Sequence, residues 1–167
     1  MLIRAEREED RVAVRAVNES AFETSAEAHL VAALRDQARP VISLVAEEAG
    51  AVFGHIMFSP VVLPEHPELA MMGLAPMAVS PERQRQGIGS ALVRAGLEEC
   101  KQLACGAVVV LGHPEYYPRF GFTPAMRFGI GCEYEVPDEV FMLVELRPGY
   151  LAEVSGKVKY HAAFSNL

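Results

Sequence analysis

An apolar stretch that contains a proline and leads into a glycine loop constrains the fold of this chain most strongly. Residues 71–79 have the hydrophobicity of a buried strand, but Pro76 lacks the N–H that a sheet ladder uses. We therefore predict a strand that is bulged or locally unpaired at Pro76. The glycine loop, 83–90, follows, and after it apolar residues recur at helical spacing. The helix side that they predict contains Ile88, Leu92, Gly96 and Leu103.

The elements around this strand, loop and helix do not alternate strictly. An amphipathic pattern predicts a helix over 8–22, and a second helix ends near Gln37, with Thr24 and Glu27 as a capping box at its start. The run 107–111 is short and wholly apolar, which is typical of a strand buried on both faces. The order of elements predicts a mixed α/β sandwich. Strands are predicted at 41–47 and 51–62 as a hairpin, and then at 71–79, 107–111, 127–134, 140–146 and 157–160.

Composition excludes several classes of function. The 167 residues include 15 Lys and Arg against 22 Asp and Glu, a formal net charge of −7, which argues against a nucleic-acid partner. A chain of this length is expected to form a single domain over 1–167, with about 147–167 as a carboxy-terminal extension of it. Neither a signal peptide nor a membrane span is expected, and the cytoplasm is the predicted compartment.

The three cysteines do not suggest catalysis or metal binding. Cys100, Cys105 and Cys132 are dispersed and contain no C-x-x-C pair, which fits a reducing compartment. We interpret them as packing residues. No zinc-ligand spacing is apparent, so no metal is expected.

The loop Gln84-Arg85-Gln86-Gly87-Ile88-Gly89-Ser90 predicts an anion site. Glycines allow the backbone to approach a ligand, and the first N–H groups of a helix attract phosphate oxygens. Arg83 and Arg85 add positive charge, and Ser90 adds a hydroxyl donor. A P-loop is disfavoured because no lysine follows Gly89, and a Rossmann fingerprint is disfavoured because Leu92 stands where its third glycine would be. A tight turn without a ligand remains an alternative.

Two motifs in the same order resemble those of the GCN5-related N-acetyltransferases, the GNAT family. Gln84-x-x-Gly87-x-Gly89, preceded by residues 74–81, is similar to the acyl-CoA motif that follows the family's bulged fourth strand. Tyr117-x-x-x-Gly121-Phe122 is similar to a segment after the fifth strand, and 112–125 together with 59–61 resembles the YhbS-like subgroup of small bacterial predicted acetyltransferases. The resemblance implies an α/β (α+β) fold with a mixed, mostly antiparallel sheet, a splay between strands 4 and 5, and helices on both faces.

The resemblance also implies acetyl-CoA as the co-substrate. Backbone groups of Met77 and Val79 would pair with the pantetheine arm, and amides over 85–90 would hold the pyrophosphate. A strand splayed from its neighbour leaves such groups free, and an amide near Val79 can stabilise negative charge on the acyl oxygen. Cofactor contacts are thus expected at Met77, Ala78, Val79, Gln84, Arg85, Gln86, Gly87, Ile88, Gly89, Ser90, Tyr117 and Phe120.

Two residues are candidates for proton transfer. Tyr117 aligns with the tyrosine that protonates the departing thiolate in many family members, although packing alone is the alternative. His113 follows the 107–111 strand, and a histidine titrates near neutral pH, so it is a candidate base or a cofactor contact. His55 is expected to be a packed or half-exposed histidine in the middle of a strand. Other candidate bases are Glu47, Glu65, His66 and Glu68.

These residues predict an enzyme that transfers acetyl from acetyl-CoA to a primary amine of a small molecule or peptide. Direct attack in a ternary complex is favoured over a cysteine acyl-enzyme. The second hypothesis is a module that binds or senses coenzyme A without turnover, and the third is a domain that binds another nucleotide. No membrane partner is expected, and the carboxy-terminal strands offer a surface for a homodimer.

Overall fold

The computed structural model describes residues 1–166, whose strands form a seven-stranded sheet and a two-stranded sheet. The helices are α1 (Arg11–Phe22), α2 (Ala26–Gln37) and α3 (Ile88–Gln102). The strands are β1 (Leu2–Ala5), β2 (Ile42–Glu48), β3 (Ala51–Val61), β4 (Met71–Val79), β5 (Ala107–Leu111), β6 (Thr123–Pro124), β7 (Ile130–Cys132), β8 (Phe141–Glu145) and β9 (Gly156–Val158).

The larger sheet has the order β1-β2-β3-β4-β5-β8-β6. Its neighbours are antiparallel except for β4 and β5, which run parallel. The smaller sheet pairs β7 with β9 in parallel. The predicted mixed α/β sandwich is confirmed, and the single parallel pair lies at the centre of the larger sheet.

Helices cover both faces of the larger sheet, as predicted. Alternate side chains of a strand point to opposite faces, so Leu44 joins the core beneath α3 while Val45 joins the core beneath α1 and α2. Helix α3 approaches the sheet closely at Gly96, where a Cβ would lie 2.2 Å from the ring of Phe58. A third core, around Val109, packs the two-stranded sheet against the α1 and α2 side of the larger one.

Two local predictions are wrong and a third is met in part. Ser25 and not Thr24 is the N-cap residue of α2, but the Thr24 hydroxyl accepts the N–H of Ala26, the first residue of the helix, at 3.4 Å and lies 3.1 Å from a carboxylate oxygen of Glu27. Leu103 does not lie on the buried side of α3, because it follows the last helical residue and is 49% exposed. The predicted strand over 127–134 is reduced to β7, because Gly129 has a φ of +74° and ends a 3₁₀ turn over Ala125–Phe128.

Candidate functional site

Strands β4 and β5 separate in the middle of the sheet. Their pairing is confined to three residue pairs, of which Gly73 with Val109 is the last, while β4 continues beside β3 to Val79. The Ser80 N–H donates to the Phe53 carbonyl of β3 at 2.8 Å. In an antiparallel pair every second residue directs its N–H and C=O toward the partner strand, so Ser80 and Ala78 face β3 and the residues between them do not. The peptide groups of Met77 and Val79 therefore point away from β3, into the gap beside β5.

A bulge accompanies this separation. Met77 lies opposite Ile56 and Leu74 lies opposite Phe58, so Ala75 and Pro76 together oppose Met57 alone. The predicted irregularity at Pro76 is therefore confirmed. The extra residue leaves the ladder where Pro76 has no N–H to contribute. Ala78, another predicted cofactor contact, lies opposite His55 in the same ladder.

The loop after β4 is held in an unusual backbone conformation. Arg85 has a φ of +64° and Gly87, the N-cap residue of α3, has a φ of +84°. Residues with positive φ in a tight loop turn successive N–H groups toward one side, an arrangement that suits an anion. The Gln84 side chain braces the loop by donating to the Val79 carbonyl at 3.0 Å. Residues 84–87 are exposed, so their amides are open to a ligand.

The arginines near the loop differ in their availability. Arg83 pairs with Glu48 at 2.5 Å and lies 4.0 Å from the centre of the Phe53 ring, so its charge is partly neutralised. Arg85 is exposed. Two further arginines, which the sequence motifs did not single out, lie over rings of the aromatic segment, 116–122. Arg94 lies over Phe120 at 5.0 Å, and Arg119 lies over Tyr116 at 4.4 Å.

Tyr116 connects this aromatic segment to the loop. Its hydroxyl lies 3.0 Å from the Ser90 hydroxyl, in the first turn of α3. A Cβ at Gly89 would lie 3.3 Å from the same Tyr116 oxygen, so the two segments approach each other closely at this glycine. No sequence motif singled out Tyr116 for more than packing, because its contact with Ser90 joins positions 26 apart in the chain.

Within the aromatic segment, Tyr117 is buried against Gly112, the residue that follows β5. Its ring packs edge-on against Phe122, with centres 5.6 Å apart. Gly112 lies so close that a Cβ there would be 2.3 Å from the Tyr117 ring. Burial, with a smaller contribution from Tyr116, raises the pKa of Tyr117 to about 12. The phenol is therefore protonated at neutral pH, as a hydrogen-bond donor must be.

A cavity of about 410 Å³ lies at the gap between β4 and β5, close to the volume of ordinary small-molecule sites. It brings Tyr117 and His113 together with the bulged part of β4. His113 is exposed, and its carbonyl accepts the N–H of Tyr116 at 3.1 Å. The lining residues are Phe22, Glu27, Leu30, Leu74, Ala75, Pro76, Met77, Leu111, Gly112, His113 and Tyr117.

Glu27 is the carboxylate of this cavity, and its sequence context predicted only a helix cap. The carboxylates that were candidate bases lie elsewhere. Glu47 pairs with Arg4 at 2.7 Å, beside β1. Glu68 lies 3.5 Å from His66, in the loop between β3 and β4. Glu65, in that same loop, is likewise outside the lining of the cavity.

His55 is a buried structural residue, as expected. Its Nδ1 lies 3.1 Å from Asn18 Nδ2, and its Nε2 lies 2.8 Å from the Ser43 hydroxyl. Burial, with a smaller effect of the Arg35 charge, lowers the pKa of His55 to about 3. The ring is therefore neutral and serves packing.

The cysteines lie apart from the cavity, and the described residues form no metal site. Cys100 and Cys105 are buried free thiols, as predicted, and Cys132 is half-buried. Within residues 1–166, no three side chains of the His, Cys, Asp and Glu types converge on a position for a metal ion. Among the helices that the structure describes, none combines the length and apolar character that crossing a bilayer requires.

Comparison with known proteins places this site in a family context. The profile of the acetyltransferase (GNAT) family matches residues 7–122. The uncharacterized N-acetyltransferase YhbS of Escherichia coli K12 is 36% identical over 166 residues, 99% of both chains. The uncharacterized N-acetyltransferase YjhQ of the same strain is 42% identical over 130 residues, 75% of this chain and 72% of YjhQ.

Two solved structures are similar over almost the whole chain. E. coli YhbS in complex with CoA superposes with a TM-score of 0.92 at 35% identity, covering 98% of this chain and 91% of that one. A GNAT family acetyltransferase of Brucella melitensis in complex with acetyl-CoA has a TM-score of 0.81 at 38% identity, covering 98% and 97%. The fold of this chain is thus shared with these two proteins.

Proposed function

The chain belongs to the acetyltransferase (GNAT) family, and on that premise we propose that it transfers acetyl from acetyl-CoA to a primary amine of a small molecule or peptide. One observation carries the proposal: the unpaired edge of β4 lines, at Met77, a cavity that contains Tyr117 and His113, and the same Met77 side chain lies beside Gly89 in the first turn of α3. The CoA and acetyl-CoA complexes of the two related proteins support the same co-substrate here.

The free edge of β4 fits the amide-bearing arm of coenzyme A. Met77 and Val79 direct their peptide groups into the gap, and the Val79 carbonyl is already occupied by Gln84. The N–H of Val79 and both backbone groups of Met77 are therefore the ones we assign to the arm. The N–H groups from Arg85 to Ser90 would hold the pyrophosphate, since they include the first turn of α3.

Bound acetyl-CoA supplies an activated acyl carbon: the amine nitrogen bonds to it as the carbon–sulfur bond breaks, the nitrogen loses a proton and the sulfur gains one. Tyr117 would donate a hydrogen bond to that sulfur. Its pKa of about 12 exceeds the pKa of about 8.5 of an ordinary thiol, so full proton transfer from the phenol is uphill. We therefore propose that Tyr117 stabilises the negative charge on the sulfur through a hydrogen bond. The proton moves from the phenol to the sulfur only where burial raises the pKa of the thiol.

His113 is the group we assign to remove the proton of the amine. It lines the cavity and is exposed, so it can pass a proton to water. The attack is direct in this scheme, because Cys100 and Cys105 are buried outside the cavity lining and no cysteine of residues 1–166 belongs to that lining. Cysteines that remain free thiols also suit the cytoplasm, which is the compartment we propose.

Calorimetry with acetyl-CoA, ATP and NAD tests the binding part of the proposal. We expect saturable binding of acetyl-CoA alone. If acetyl-CoA does not bind, the proposal is wrong, and preferential binding of ATP or NAD would favour a different nucleotide site.

A thiol-release assay across a panel of primary amines tests turnover. We expect amine-dependent release of coenzyme A from acetyl-CoA. Binding without release for every amine would instead support a coenzyme A binding or sensing module.

A further inference from the structure

The charges around the cavity are distributed unevenly. Its lining contains one carboxylate, Glu27, and neither a lysine nor an arginine among the residues that the structure describes. The arginines of this region, Arg83, Arg85, Arg94 and Arg119, belong instead to the loop, to α3 and to the aromatic segment beside it. Positive charge therefore surrounds the proposed phosphate site, whereas the cavity beyond the β4 edge has a negative group.

Glu27 is held in place within the cavity. It lies in the first turn of α2, where the helix dipole favours an acidic side chain, and it is half-buried. The Thr24 hydroxyl donates to its Oε1 at 3.1 Å in a solvent-exposed hydrogen bond. A half-buried carboxylate attracts a cation more strongly than a fully exposed one does, because water screens its charge less.

The remaining lining suits an apolar body and a cationic group. Phe22 lines the cavity with Glu27, and the faces of aromatic rings attract cations. Leucine, methionine, proline and alanine side chains form most of the other walls. A carboxylate on the acceptor would meet no basic side chain other than His113 in the described lining and would be repelled by Glu27.

We propose that Glu27 makes the cavity selective for protonated amines that carry an apolar body and no carboxylate. This inference rests on the proposed acetyl transfer and names its substrate class. Glu27 binds the ammonium form as it enters, so its contribution lies in binding. The ammonium then gives its proton to His113 or water before the nitrogen attacks, since only the neutral amine has a lone pair.

Three probes of one scaffold test the proposal: phenethylamine, phenylalaninamide and phenylalanine. They share the ring and the primary amine, and only phenylalanine carries a carboxylate. Calorimetry on the CoA-loaded protein gives each dissociation constant without requiring turnover, and kcat and KM with acetyl-CoA follow. We expect phenethylamine and phenylalaninamide to bind at least about tenfold more tightly than phenylalanine.

Glu27→Gln keeps the shape of the side chain and removes its charge. With phenethylamine we expect both the dissociation constant and the KM to rise about tenfold or more, because the loss of one charge-assisted hydrogen bond changes an affinity by about that factor. We expect kcat to change much less. Glu23→Gln is the matched control, because Glu23 is exposed, lies outside the cavity lining and undergoes the same chemical change. Unaltered acetyl-CoA affinity shows that each variant is folded.

The outcomes separate this inference from the proposed function. A protein that binds acetyl-CoA but has equal affinity for phenylalanine and phenethylamine, or binds none of the three probes, overturns the role of Glu27 and leaves acetyl transfer standing. An unchanged KM and dissociation constant in Glu27→Gln overturns it as well. A protein that does not bind acetyl-CoA at all contradicts the proposed function itself.

Discussion

Replacement of Gly87 by alanine tests the phosphate loop, and its cost can be worked out from the backbone. The φ of +84° places Gly87 in the left-handed region, where an L-residue costs about 1–2 kcal/mol. Alanine also has fewer conformations than glycine in the unfolded chain, and this recovers about 0.4–1 kcal/mol of that cost. A Cβ at Gly87 would meet no atom within 4 Å, so no steric clash adds to the cost. We expect a net loss of about 1 kcal/mol and a Tm lower by about 2–4 °C.

Gly50 provides a matched control for this replacement. Its φ is +82°, and a Cβ there would likewise meet nothing within 4 Å, but it lies in the turn between β2 and β3. Gly50→Ala should therefore lose similar stability and keep its affinity for acetyl-CoA. In Gly87→Ala, relaxation of φ redirects the loop amides, and the loss of one charge-assisted hydrogen bond raises the dissociation constant about tenfold or more.

Differential scanning calorimetry and titration calorimetry on the two variants separate the effects. The reasoning is refuted if Gly87→Ala loses stability but binds acetyl-CoA as the wild type does, since the loop amides would then not hold the pyrophosphate. It is also refuted if both variants lose affinity equally, because the effect would then be a general consequence of instability.

Further predictions concern proton transfer, acid stability and assembly. Tyr117→Phe should lower kcat about ten- to a hundredfold with unchanged acetyl-CoA affinity, and an unaltered kcat would remove Tyr117 from the reaction. His113→Ala should abolish the acidic limb of the pH–rate profile, so an unchanged profile would exclude it as the base. The Arg4 ion pair lowers the pKa of Asp10 from 3.8 to about 2, which stabilises the fold above pH 4 by about 2 kcal/mol. That stabilisation is lost as the pH falls toward 2, and urea unfolding of Asp10→Asn should lack this acid-dependent loss. Light scattering distinguishes a homodimer, for which the carboxy-terminal strands offer a surface, from a monomer, and a monomeric mass would exclude the homodimer.

The arrangement around β4 was predictable because its signals are local. Pro76 removes one donor within an apolar strand, and the structure has a bulge at that position. Gly87 and Gly89 precede a helical pattern, and α3 begins between them at Ile88. Each inference needed only neighbouring residues and the limits that proline and glycine place on the backbone.

The acceptor side of the cavity was not predictable from the same signals. Glu27 stands three residues after Thr24, a spacing that indicates a capping box. The Thr24 hydroxyl does accept a helix N–H, from Ala26, but the Glu27 carboxylate contacts that hydroxyl and lines the cavity. Its place in the cavity depends on how α1 and α2 pack over the gap near Leu111, which is 84 residues away in the numbering of the chain. Likewise, the contact between Tyr116 and Ser90 depends on tertiary packing.

Acetyl transfer itself is tested most directly by mass spectrometry of the amine after incubation of the wild-type protein with acetyl-CoA. We predict an N-acetylated amine that accumulates in equal amount with free coenzyme A and does not form without the protein. Acetyl-CoA that binds but is consumed without any acetylated amine, or is not consumed at all, would contradict the assignment of this chain as an N-acetyltransferase of primary amines.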